Sequence, residues 1–202
     1  MKTILVATTN PGKLAELSKM LDIDADFKSL VDFPGIDEVV EDGNTFEQNA
    51  QKKALGYAKA TGLWTIADDS GLVIDALGGE PGIHSARFSG EKSEARTLID
   101  HKNIAKVLKL MKDVPVEKRT ARFVCSLCLA SPEKVLIRTE GKVEGVIAEE
   151  KIGTGGFGYD PIFFVPTLGK TIAQITPEEK NKISHRGNAI NKLKGMLTAL
   201  LK

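Results

Sequence analysis

The residues of this chain best suited to chemistry fall in short polar clusters between apolar runs. Asp68-Asp69-Ser70-Gly71 sits between two apolar stretches. Adjacent carboxylates at strand ends are costly unless solvated, paired or bound to a cation. Neighbouring strand residues point to opposite faces, so one aspartate should face a site and the other should be structural. A polar β-turn is the plain alternative. Glu41-Asp42 precede a helix start and read either as a solvated loop or as further acidic ligands. Thr8-Thr9-Asn10-Pro11-Gly12-Lys13 is a polar turn between an apolar run and a helix, where free backbone N–H groups and a lysine favour phosphate. Phe157-Gly158-Tyr159-Asp160 puts aromatic rings and a carboxylate on a glycine-rich run. Backbone there can approach a flat ligand and a ring can stack on a base, although an ordinary apolar loop contact fits equally. Ser184-His185-Arg186 comes just before the last helix. Arg186 and Lys180 are donors for an anion or a carbonyl oxygen, and a capped helix start is the plain reading.

Each cluster is modest alone, but together they supply what a nucleoside triphosphate with Mg²⁺ requires. There is a phosphate-binding turn with Lys13, acidic groups for a cation, an aromatic platform and polar groups for a base edge. Mg²⁺ usually keeps waters and takes one or two carboxylates plus phosphates, and the acids suffice for that. Other patterns fail. GTGGFG at 153–158 matches a dinucleotide fingerprint, but Pro161 follows and no helical periodicity comes after it. The turn at 8–13 lacks the first glycine and the Ser/Thr of a P-loop. Cys125 and Cys128 lie three apart in an expected strand, which sends them to opposite faces as buried structural residues. His101 lies among charges and reads as solvated surface.

The elements that must position these groups alternate. Residues 3–8 read as a buried strand, and Pro11 opens a helix carrying Leu14, Leu17, Met20 and Leu21 on one face, with Asn10 as its cap. Residues 23–44 look irregular. Thr45 and Gln48 form a capping-box pattern for a helix to about residue 61, closed by Gly62. Strands are expected at Trp64–Asp68 and Leu72–Leu77, a loop at 78–90 and a helix at 94–112. Two long strands, 120–130 and 134–148, should form a hairpin through Ser131–Pro132. A glycine-rich loop at 153–161 and a final helix from about Arg186 to Leu201 complete the chain. This mixture is α/β with a sizeable mixed sheet. Trp64 reads as a packing residue.

Composition excludes several classes. The 202 residues suit one domain, or a domain with a lobe, and 42% hydrophobic with 27% charged is ordinary for a globular chain. A net charge of +1 calls for neither nucleic acid nor a membrane surface, and no basic stripe with interleaved aromatics appears. Two cysteines do not make a disulfide framework. The first residues hold too short an apolar run for a signal segment, and no run approaches a membrane span. The expectation is a cytoplasmic protein.

With those segments in hand, the chain resembles the Ham1/RdgB-type noncanonical purine NTP pyrophosphatases, the inosine triphosphate pyrophosphatase family. The matching segments are TTNPGK (8–13), EDGNTFEQNA (41–50), ADDSGL (67–72), PGIHSARFSG (81–90), GTGGFGYDPIF (153–163) and SHR (184–186), in order and across nearly the whole chain. The resemblance implies an elongated α/β fold: a mixed sheet flanked by helices, with two lobes around a central active-site cleft in one pyrophosphatase domain, 1–202. It also implies a homodimer. Thr8, Thr9, Asn10, Pro11, Gly12 and Lys13 would bind the triphosphate. Glu41 and Asp69 would hold Mg²⁺, and Asp69 would serve as general base. Ser70 would contact substrate. Phe157, Gly158, Tyr159 and Asp160 would surround the nucleoside, and Lys180, His185 and Arg186 would complete recognition. Gln48 departs from the glutamate common in the family, which leaves it a helix-start residue rather than a metal ligand.

The implied reaction is attack of water on the α-phosphorus of ITP, dITP or XTP, giving the monophosphate and pyrophosphate. Lys13 would stabilise charge on the phosphates. Selectivity is expected from the purine 6-position, where Arg186 or a backbone N–H can pair with a carbonyl but not with adenine's amino group. A phosphatase releasing orthophosphate and a non-catalytic nucleotide sensor are the competing readings. A sensor should have lost Asp69 or Lys13, and both are present.

Overall fold

The computed structural model describes residues 2–9, 11–92 and 95–201, without the side chains of Pro11, Gly12, Lys13 and Glu16. Its helices are α1 (Pro11–Leu21), α2 (Phe46–Thr61), α3 (Arg96–Leu110), α4 (Pro177–Ile183) and α5 (His185–Leu200). Its strands are β1 (Lys2–Val6), β2 (Ala25–Ser29), β3 (Trp64–Ile74), β4 (Thr120–Ala130), β5 (Val135–Ile147), β6 (Phe163–Val165) and β7 (Lys170–Thr171). Among the described residues the strands hydrogen-bond in the order β2-β1-β3-β4-β5-β6-β7. Pairing is parallel for β1 with β2 and β3, and antiparallel for β6 with β5 and β7. The sheet is therefore mixed, as expected.

The chain divides into two compact units. One comprises Met1–Asp69, Cys125–Gly141 and His185–Lys202, and the other Ser70–Val124 and Lys142–Ser184. The first unit packs the leucines of α1 and α5 against β1, β3, β4 and β5. Ile4, Leu17, Leu21, Ile66, Leu127, Ile190 and Leu193 are all within its main core. A second, smaller cluster joins Ala50, Ala54 and Ala58 of α2 to Ala67, Cys128 and Ala130. Alanine at every fourth position keeps that face of α2 flat and lets it lie close to the strands. Cys125 belongs to the first cluster and Cys128 to the second, so the two do face opposite ways. Burial pushes the Cys128 thiol up to about 12, which keeps it inert. Trp64 packs at the edge of the main cluster, with the Lys2 ammonium 4.0 Å from its ring centre.

The second unit has its own core, with Leu72, Ile74, Ile104, Val107, Phe123, Ile162 and Phe163. Arg119 is buried there without a carboxylate. Its guanidinium donates to the carbonyls of Met111, Val114, Ile147 and Ala148 at 2.7–3.2 Å, satisfying the exposed carbonyls at the end of α3.

Four elements differ from expectation. Trp64–Asp68 and Leu72–Leu77 are not two strands around a turn. β3 runs unbroken from Trp64 to Ile74, and Asp75–Leu77 is a 3₁₀ turn. The polar residues are carried in the strand because both flanks pair with neighbours. β2 forms within the stretch expected to be irregular, its five residues registered on β1 from Lys2↔Ala25 to Val6↔Ser29. Its sequence, ADFKS, has no alternation because most of the strand is only half-buried. Residues 177–183 form α4, opened by Thr176 with Pro177 at the first position and Glu179 completing the capping box. The last helix begins at His185, in agreement with the expected start near Arg186. Gly82–Arg87 also winds into a 3₁₀ turn within the expected loop.

Candidate active site

In the first unit, β1 ends at Val6 and delivers Ala7, Thr8 and Thr9 to a cavity of about 560 Å³. Its polar side is Thr8, Thr9, Glu38, Glu41 and Lys53; its apolar side includes Leu30, Phe33, Ile36 and Tyr57. The turn is fixed by backbone: Ala7 N–H donates to Ile66 O at 2.8 Å and Leu30 N–H to Thr8 O at 3.0 Å. α1 opens at Pro11 as the sequence implied. Asn10 lies outside the described residues, and Pro11, Gly12 and Lys13 are described only as the first turn of α1.

Asp68 and Asp69 separate as strand geometry requires. Asp68 accepts from Arg186 of α5 at 3.1 Å, both side chains being largely buried. Asp69 accepts from the Asn49 amide of α2 at 2.9 Å. Asp68 is thus the aspartate held in an ion pair. Asp69 is the one whose burial outweighs its support: desolvation pushes its carboxyl up to about 6, against the lowering effects of Asn49 and Lys53, with Glu41 and Asp68 adding further upward pressure. Glu41 pairs with Lys53 at 3.1 Å.

Asn49 and Lys53 were not singled out by sequence reasoning, yet they contact the two carboxylates directly. The signal was available: both lie on α2 four residues apart, hence on one face, and Asn49 falls inside the 41–50 segment. Asn49 is 1% exposed and works in both directions, since its Oδ1 also accepts from Gly43 N–H at 2.8 Å. Gln48 is exposed. Its amide oxygen accepts from Asn44 N–H at 2.7 Å while Thr45 caps Gln48 N–H at 3.1 Å. The helix start is preserved, but the reciprocal bond reaches Asn44 rather than Thr45.

His185 and Arg186 occupy the first turn of α5 and are buried. Gly141 of β5 lies so close that a Cβ there would strike the His185 carbonyl and Ala189 N–H, so a bare backbone is what lets α5 begin at this point. Ser70 continues β3 beyond Asp69 and opens the second unit.

In the second unit, the 157–160 loop is held from below. Phe157 N–H donates to the Asp160 carboxylate at 2.8 Å and Gly158 N–H to Asp100 of α3 at 2.9 Å. Asp160 is 3% exposed and pairs with Lys180 of α4 at 2.5 Å. The same ammonium lies 4.3 Å from the centre of the Phe157 ring. The two aromatics then differ. Phe157 is 57% exposed, whereas Tyr159 is buried, donates to Ser85 O at 2.9 Å and has its phenol pushed up by burial. Of the expected nucleoside contacts, the exposed ring is Phe157, and Tyr159 anchors the loop. Asp100 was missed because its contact lies 58 residues away in sequence.

The residues present suit a hard divalent cation. Desolvation raises the Asp69 carboxyl and the charge of Glu41 adds to it, and a carboxylate so disfavoured as an anion gains from a cation. Among the described residues no set of three or more His, Cys, Asp or Glu forms a ligand cluster.

Fold and site together define an α/β protein with an acid-edged polar pocket of the kind that takes a phosphorylated ligand. The chain belongs to the Ham1 family, whose sequence model matches residues 4–196. It is 50% identical over 194 residues to a dITP/XTP pyrophosphatase of Halalkalibacterium halodurans, covering 96% of this chain and 97% of that one. It is 49% identical over 200 residues to a dITP/XTP pyrophosphatase of Bacillus subtilis, covering 98% of each. The solved Ham1 protein of Staphylococcus aureus superposes with a TM-score of 0.89 at 42% identity, covering 98% of this chain and all of that one. That of Coxiella burnetii gives 0.90 at 40% identity, again over 98% and 100%.

Proposed function

We propose that this chain is a nucleoside triphosphate pyrophosphohydrolase that converts noncanonical purine triphosphates (ITP, dITP and XTP) to the monophosphate and pyrophosphate, clearing deaminated purines from the nucleotide pool. The observation that carries the chemistry is Asp69, a half-buried carboxylate that accepts from the Asn49 amide at 2.9 Å and is raised to about 6 by desolvation. Its near-full-length likeness to dITP/XTP pyrophosphatases supports the substrate class.

In this reading Thr8, Thr9, Asn10, Pro11, Gly12 and Lys13 take the triphosphate, with Lys53 beside them, and Ser70 contacts substrate. Glu41 and Asp69 hold Mg²⁺, which when bound neutralises phosphate charge. Asp69 orients the attacking water and accepts its proton as the oxygen bonds to the α-phosphorus. The bond from that phosphorus to the bridging oxygen breaks, and pyrophosphate leaves. Desolvation, which raises the metal-free Asp69 carboxyl, makes it a better proton acceptor than a fully solvated carboxylate. Lys13 stabilises the growing phosphate charge. The Phe157 ring stacks on the base, with Gly158, Tyr159, Asp160 and Lys180 forming and supporting that platform. His185 and Arg186 complete recognition. Arg186 is held in place by its ion pair with Asp68. We further propose a cytoplasmic homodimer of one two-lobed pyrophosphatase domain; among the described residues no helix is long and apolar enough to cross a membrane.

The test is to incubate the purified protein with ITP, XTP, GTP or ATP, with Mg²⁺ or with EDTA, and to assay pyrophosphate and orthophosphate separately. Mg²⁺-dependent pyrophosphate from ITP and XTP, with little from ATP or GTP, is expected. Orthophosphate as the product would make the chain a general phosphatase instead, and comparable turnover of ATP would refute the selectivity. Sedimentation velocity reads the dimer.

A further inference from the structure

Glu41 sits on a segment without helix or strand, and a loop carboxylate needs something to fix its position. Residues 39–44 lie along one face of α2, running against its direction. Val39 N–H donates to the Tyr57 hydroxyl at 3.3 Å. Glu41 pairs with Lys53 at 3.1 Å, and Asp42 pairs with Lys52. Gly43 N–H meets Asn49 at 2.8 Å and Asn44 N–H meets Gln48 at 2.7 Å. As the strap advances, its partners step back along the helix, one turn after another.

At the far end the fit is tight. Gly56 is the single glycine inside α2, a position where glycine is disfavoured by about 1 kcal/mol relative to alanine. A Cβ built there would lie 2.7 Å from Cγ2 and 3.2 Å from Cγ1 of Val39. Valine is short and stiff at χ1, so it cannot swing aside without moving its backbone. Glu41 is two residues further on.

We infer that Gly56 and Tyr57 are positioning residues for the Glu41 carboxylate: bare backbone at Gly56 admits Val39, the Tyr57 hydroxyl holds its N–H, and the strap so seated sets how tightly the site takes its divalent cation. This rests on the reading of Glu41 as a metal ligand. Neither residue is among the groups proposed to hold the metal.

The test uses the full chain and Mn²⁺ as probe, with free Mn²⁺ followed by electron paramagnetic resonance and fold followed by thermal melting. Gly56→Ala should melt no lower than the parent, because alanine favours the helix, yet bind Mn²⁺ roughly tenfold more weakly, as loss of outer support does at metal sites. Tyr57→Phe should weaken binding by roughly threefold, the worth of one modest hydrogen bond. Val39→Ala placed in the Gly56→Ala protein should restore affinity, since it removes the clash. Glu41→Gln separates the two readings. If it binds Mn²⁺ as the parent does, Glu41 is not a ligand and both fall. If it weakens binding while Gly56→Ala does not, the positioning inference alone is wrong. Weakening by Gly56→Ala without rescue by Val39→Ala overturns the contact as its cause.

Discussion

Two carboxylates, Asp160 buried in one compact unit and Asp69 half-buried in the other, show opposite solutions to the cost of losing water. Asp160 is 3% exposed and is met by the Lys180 ammonium at 2.5 Å and the Phe157 N–H at 2.8 Å. Its charge is matched, and what it does is hold a loop in shape. Asp69 receives the Asn49 amide at 2.9 Å, while Lys53, which lowers its carboxyl, is paired with Glu41, and the charges of Glu41 and Asp68 raise it. Its carboxyl is pushed up to about 6. A matched buried charge is structure. One whose desolvation outweighs its support is a place for a proton or a cation, which is why strongly shifted groups mark functional sites.

The largest effect expected from breaking this contrast is on turnover. Asp69→Asn should leave the fold intact and lower kcat by roughly 10²–10⁴-fold, as removal of a general base does; near-normal turnover in steady-state assays would remove Asp69 from the mechanism. Next comes the matched pair. Lys180→Met leaves Asp160 buried without its cation and should destabilise the protein by about 3 kcal/mol in urea unfolding at pH 7. A loss below the usual effect of a surface substitution would mean that Asp160 is not held as described.

A pH series sharpens the comparison further. Asp69 titrates near 3.8 unfolded and near 6 folded, so the folded metal-free protein binds the proton more tightly. Its stabilising contribution is complete below about pH 4 and is lost as pH rises to about 6. Asp69→Asn should therefore be more stable than the parent at pH 8, with the gap closing towards pH 4. Equal melting temperatures across that range would contradict the assignment. Activity runs the other way: kcat/KM should fall as pH drops below about 6, where Asp69 takes its proton. Asn49→Ala removes a bond that favours the anion and should move that acidic limb to higher pH. The smallest effect is on the platform. Phe157→Ala should raise KM for ITP by roughly tenfold, the worth of one base-stacking contact, with little change in stability because the ring is 57% exposed.

Much of this was legible in the chain alone. The apolar period of α1 and α5, the cap and stop of α2 at Thr45 and Gly62, and the hairpin of β4 and β5 are local signals read in the structure as they stand. The opposed faces of Asp68 and Asp69, and of Cys125 and Cys128, follow from the two-residue period of a strand. Tertiary structure decided what depends on a partner distant in sequence. β3 stays a strand through DDSG, and ADFKS becomes β2, because neighbouring strands supply their hydrogen bonds, a term no local pattern contains. That Asp68 meets Arg186 depends on a residue 118 positions away, and that Asp69 meets Asn49 on one 20 positions before it. Residue types set which charges were available; only packing determined which of them were buried, and therefore which were matched.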